Sequence, residues 1–157
     1  MQDAEDLSSR FRTTVIIGYS MLAVVFLYGV VGYFVIKTLP PLESKGGDIV
    51  TLIFLGLSIL LIVPIRVVRE AILEVWKKRA ARGEADLRHE DGLFVAYLIS
   101  FGMCELVAIL GVVACVLRRD LGAYPLFAGM AFLGLLYCFP RWYDWQRFYH
   151  SVQGGTT

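Results

Sequence analysis

Four long stretches of this chain carry no Asp, Glu, Lys or Arg, or only one, and they limit what it can fold into. Between Arg12 and Lys37 lie 24 residues without such a charge, between Asp48 and Arg66 lie 17, and between Asp120 and Arg141 lie 20. The 26 residues between Asp91 and Arg118 are interrupted only by Glu105. Crossing the hydrocarbon core of a bilayer takes about 20 apolar residues at roughly 1.5 Å each. In lipid the backbone must satisfy its own hydrogen bonds, so such stretches are helices. The sequence therefore predicts an all-α, single-domain integral membrane protein, residues 1–157, built as a four-helix bundle. The spans fall near 13–36, 48–68, 93–117 and 122–140.

Composition agrees. Of 157 residues, 57% are hydrophobic and 18% charged, where a soluble domain is about a quarter charged. The first stretch is expected to be a retained anchor: the residues before it, Asp3, Glu5 and Asp6, are acidic, and Lys37-Thr38-Leu39-Pro40 follows where a cleaved signal would carry a small-residue site.

Orientation follows from Lys and Arg. Eleven of them (from Arg10 and Arg12, through the seven between Arg66 and Arg88, to Arg141 and Arg147) fall on one side of the four spans. Lys37, Lys45, Arg118 and Arg119 fall on the other. The positive side faces the cytoplasm, which predicts an inner-membrane protein with both termini inside.

The connections differ in kind. Pro40-Pro41 and Gly46-Gly47 stop any helix in the first outer loop. Arg118-Arg119-Asp120 is a tight outer turn, relieved at Gly122, and it makes the third and fourth spans antiparallel neighbours. The cytoplasmic connection, 66–91, is helical. Val68, Ala71, Ile72, Val75 and Trp76 recur at helical spacing, and Glu74 and Lys78 form an i, i+4 pair of the favourable order. The second helix should run to about Ala81, with Gly83 as a stop. Its apolar stripe either packs on the protein or a sister subunit, or lies on anionic lipid. Beyond Pro140, Trp142, Tyr143, Trp145 and Tyr149 read as an aromatic anchor at the headgroup level.

No enzyme is expected. His89 and His150 are far apart and lack HExxH spacing. Cys104, Cys115 and Cys138 have no CxxC pattern and read as packing residues. There is no phosphate-binding glycine loop and no GxSxG. The sequence implies no metal and no cofactor, and a net charge of +1 gives no pull toward nucleic acid.

One residue breaks the pattern. Glu105 stands at the middle of its span, where a carboxylate costs about 2.5–3.5 kcal/mol or more. A carboxyl escapes that cost by staying protonated, by pairing or by facing water. No Lys or Arg lies at its depth, so a neutral acid is expected, hydrogen-bonded to Ser58 or a backbone carbonyl, with Ser100 and Tyr28 as further candidates. Its role is either helix-to-helix glue or proton and cation binding. Around it Ala96, Ser100, Cys104, Ala108 and Gly111 make a thin-sided helix, and Gly129 and Gly134 thin the fourth. Small residues let membrane helices approach closely, within one chain or between copies. A homo-oligomer or a larger membrane complex is the expected setting.

The segment from Leu93 to Ala114, with Cys104-Glu105-Leu106-Val107-Ala108-Ile109-Leu110-Gly111 at its centre, resembles the ion-carrying helix of ATP-synthase c subunits. Glu105, Ala108 and Gly111 match that helix's acid and its two small residues. The resemblance implies that Glu105 binds a proton or sodium ion and that hairpins assemble into a ring. The whole chain also looks like small four-helix bacterial membrane proteins.

Overall fold

A computed structural model describes residues 2–39, 47–82 and 89–153. Gly83 and most of the first outer loop, including Pro40, Pro41 and Gly46, lie outside the described residues. The helices are α1 (Gln2–Thr38), α2 (Gly47–Ile62), α3 (Ile65–Ala81), α4 (His89–Arg118), α5 (Tyr124–Tyr137) and α6 (Trp142–Gln153), with a 3₁₀ turn at Leu121–Ala123. The fold is an all-α bundle. Among the described residues three helical runs are long and apolar enough to cross a membrane: Leu7–Thr38, Asp48–Arg79 and Asp91–Arg118.

The second run joins α2 to α3 through Val63 and Pro64. Proline lacks an N–H and interrupts the ladder at one point. The bonds resume on both sides: Val63 N–H donates to Ile59 at 3.0 Å and Val68 N–H to Pro64 at 2.9 Å. The helix thus continues to Ala81, as the apolar spacing predicts. Among the described residues the ion pair within α3 is Arg66–Glu70, at 2.9 Å, and the exposed Glu74 and Lys78 form none with each other.

The fourth span differs from a single straight helix. A helix of 14 residues such as α5 reaches only about 21 Å, less than the hydrocarbon thickness. With the preceding turn it reaches the length and hydropathy of a span only when taken together with α6, from which it bends by 49°. Pro140 sits in that break and withholds the N–H that a continuous helix would need.

Helix α4 is the hub, packed against α1, α2, α3 and α5. Its contacts give the relative directions. Arg10 pairs with Asp91 at 3.0 Å, Gly18 lies under Phe101, and Gly32 lies by Val112. These contacts advance together, so α1 and α4 are parallel. Gly111 meets Phe127 and Cys104 meets Gly134, so α4 and α5 are antiparallel. Arg118 donates to Thr51 at 2.6 Å while Trp76 covers Gly92, so α2 and α3 run antiparallel to α4 as well.

The turn after α4 is a Schellman motif. Asp120 N–H reaches back to Cys115 at 3.1 Å and Arg119 N–H to Val116 at 3.2 Å, which satisfies carbonyls the helix end would leave open. The left-handed position is Arg119, with φ of 57°. Gly122 plays another part: its N–H donates to the Asp120 carboxylate at 2.9 Å.

Candidate intramembrane carboxyl site

Helix α4 turns one face toward α1. Phe101, Glu105, Ala108 and Val112 follow at three- and four-residue intervals, which places them on one side of a helix. Phe101 and Ala108 are fully buried. Because α1 runs parallel to this face, its mid-span residue Tyr28 arrives at the level of Glu105. The Tyr28 hydroxyl donates to Oε1 of Glu105 at 2.6 Å. That distance is at the short end of the range for O–H···O bonds.

Glu105 is half-buried. On its flank away from α1 the neighbouring side chains open outward: Leu106 and Ile109 are 42% and 37% exposed, and nothing lies within 4 Å of a Cβ built on Gly102. The carboxyl thus sits at the seam between α1 and the outward stripe of α4. Its second oxygen has no hydrogen-bond partner among the described residues. The site can accept a hydrogen bond, hold a proton, or present an oxygen to a group arriving from the side.

The serines named from the sequence turn elsewhere. Ser58 is buried, yet its hydroxyl donates to Phe54 of its own helix at 2.8 Å. Ser100 likewise donates to Ala96 at 2.8 Å. A serine in a helix reaches the carbonyl one turn back more easily than a neighbouring helix. Tyrosine is too long for that and must find a partner further away. The signal for Tyr28 was its depth, near the middle of the first charge-free stretch.

Of the other residues singled out, Ala96, Cys104 and Ala108 are fully buried and Ser100 nearly so. Gly111 gives its bare side to Phe127 of α5, where a Cβ would overlap the ring's own Cβ. A Cβ on Gly134 would stand 2.9 Å from Sγ of Cys104. A Cβ built on Gly129 would meet nothing within 4 Å, and the residue is exposed. The three cysteines are free and buried. No group of three metal-ligating side chains occurs among the described residues.

The chain matches no protein-family model and has no significant match among curated proteins or solved structures.

The aromatic cluster at the end of the chain divides. Trp142 and Tyr143 are exposed, Trp142 meeting Phe11 edge-on at 5.1 Å between centroids. Trp145 is fully buried and stacks on Tyr97 at 6.2 Å, with ring planes 9° apart. Its ring ties α6 to α4. The side chain of Tyr149 is outside the described residues.

Proposed function

We propose that this chain is a non-enzymatic integral membrane protein of the inner membrane that works as a subunit of a homo-oligomer or a larger membrane complex. The observation that carries this reading is the half-satisfied carboxyl of Glu105. Tyr28 supplies one hydrogen bond, and the second oxygen is left at a lateral seam lined by apolar side chains. An acid at that depth is costly without a partner, and a neighbouring subunit or other membrane protein can supply one. The Lys and Arg distribution supports termini and the 66–91 connection in the cytoplasm.

Blue-native electrophoresis in mild detergent, with mass determination, tests the proposal. A defined assembly is expected for the native chain, with weakened association for Glu105→Ala. A clean monomer with nothing co-purifying would overturn it.

The same open oxygen favours a second reading, in which Glu105 binds or passes a proton or cation, as its likeness to the c-subunit helix implies. Glu105→Gln keeps hydrogen bonding and cannot exchange a proton. Flux through proteoliposomes that is equal for Gln and the native chain would remove this reading and leave the structural one.

A further inference from the structure

We infer that the cavity between α3, α4 and α6, at the basic end of the bundle, binds the phosphate of an anionic phospholipid. It has a volume of about 360 Å³, and its walls carry Arg69, Lys77 and Arg147. Ligand cavities span roughly 300–1,000 Å³, so it is large enough for a headgroup phosphate with its glycerol.

Charge is left over in this cavity. The ion pairs among the described residues use Arg10, Arg66 and Arg118 as their cations, and none uses Arg69, Lys77 or Arg147. Two acids also line the cavity, Glu70 and Asp144. Glu70 is already held by Arg66 at 2.9 Å, which leaves Asp144 against three cations. The surplus positive charge calls for an anion.

Two of the three cationic heads, those of Arg69 and Lys77, rest on aromatic rings that do not neutralise them. The Arg69 guanidinium lies 5.7 Å from the centre of the Tyr97 ring, and the Lys77 ammonium 5.8 Å from that of Phe148. Such contacts attract a cation through the ring's quadrupole and leave its charge available. Tyr97 is itself fixed by its stack on Trp145. Guanidinium groups bind phosphate oxygens in bidentate fashion.

The rest of the wall points to a lipid as the source of the phosphate. Leu73, Leu93 and Phe148 form an apolar side to the same cavity. The charge-free stretches end close by: Arg66 closes the second, and the third opens just after Asp91. The cavity therefore stands where apolar spans give way to polar residues, the level at which a phospholipid carries its phosphate beside its first methylenes. A free phosphate ion would gain nothing from the apolar side.

The test uses the full chain in a neutral detergent, stripped of lipid and titrated with phosphatidylglycerol or phosphatidylcholine of the same acyl chains, with adducts counted by native mass spectrometry. Preference for phosphatidylglycerol on the order of tenfold is expected from the surplus of basic groups. Arg69→Gln with Arg147→Gln should abolish that preference, and Arg69→Lys with Arg147→Lys should keep most of it. Lys78→Gln with Arg79→Gln, which removes two exposed charges outside the cavity, should leave it unchanged. Equal binding of the two lipids, or equal loss in the Lys78 and Arg79 variant, would overturn the site. Displacement of phosphatidylglycerol by inorganic phosphate would overturn the lipid assignment.

Discussion

The hydroxyl of Tyr28 and the carboxyl of Glu105 meet at 2.6 Å, joining the parallel helices α1 and α4 midway along their spans. Both groups are polar, and water to satisfy them is scarce at that depth. Each therefore solves the other's problem, and neither would be well placed alone.

A double-mutant cycle measures this link. Tyr28→Phe and Glu105→Ala, unfolded by denaturing detergent in mixed micelles, should show a coupling of about 0.6–1.7 kcal/mol, the range for hydrogen bonds between membrane helices. Strictly additive losses would mean that the two side chains do not interact.

Glycine contacts predict a contrast along the same helices. Gly111→Ala drives a methyl group into Phe127, and Gly134→Ala presses on Cys104. Overpacking of this kind costs about 1–3 kcal/mol. Gly129→Ala meets nothing and should gain up to about 1 kcal/mol from helix propensity. The same unfolding assay, run on all three, checks the order.

The turn after α4 holds Arg119 at a φ of 57°, a region that costs a non-glycine residue roughly 1–2 kcal/mol. Arg119→Gly should raise stability by about 0.5–1 kcal/mol, and Arg119→Val should lower it. A thermal melt of both variants in detergent would reveal the sign.

Arg118 reaches two partners on α2, and magnitudes separate them. Its bond to Thr51 is 2.6 Å long. Its pairing with Asp48 is at 3.6 Å and involves a carboxylate side chain that is 95% exposed. An exposed pair contributes between nothing and about 1 kcal/mol, whereas a hydrogen bond to a charged donor is worth about 1.5–3 kcal/mol. Thr51→Val should therefore destabilise clearly more than Asp48→Asn. Equal losses in chemical denaturation would show the ion pair to be the stronger tie.

Buried thiols give a chemical readout of packing. Cys104, Cys115 and Cys138 are all covered in the folded chain. A membrane-permeant maleimide should leave them unmodified under native conditions and label all three after unfolding. Fast native labelling of Cys104 or Cys138 would show that α4 and α5 separate readily.

Legible in the residue string alone were the helical class, the long charge-free stretches and the place of Glu105 at the middle of one of them, because the bilayer imposes a length and a cost of charge that any such string must meet. The string also marked where helices end: Thr38 precedes Pro40-Pro41, and Arg118 closes α4 at a charged turn. Which sides of the helices face inward was a different matter. Lipid and protein interior are both apolar, so hydrophobic pattern does not separate them as it does in water. For that reason Gly134 and Gly129 look alike in sequence, although the Cβ position of one lies under a thiol and that of the other faces open space. Trp145 reads like its neighbour Trp142, yet it turns inward onto Tyr97. Ser58 and Tyr28 were both candidates for Glu105. Only the parallel packing of α1 on α4 brings the tyrosine to the carboxyl, while the serine closes on its own helix. The cations around the α3, α4 and α6 cavity are far apart in the chain, and the bend at Pro140 that carries Arg147 back beside Arg69 exists only in the folded structure.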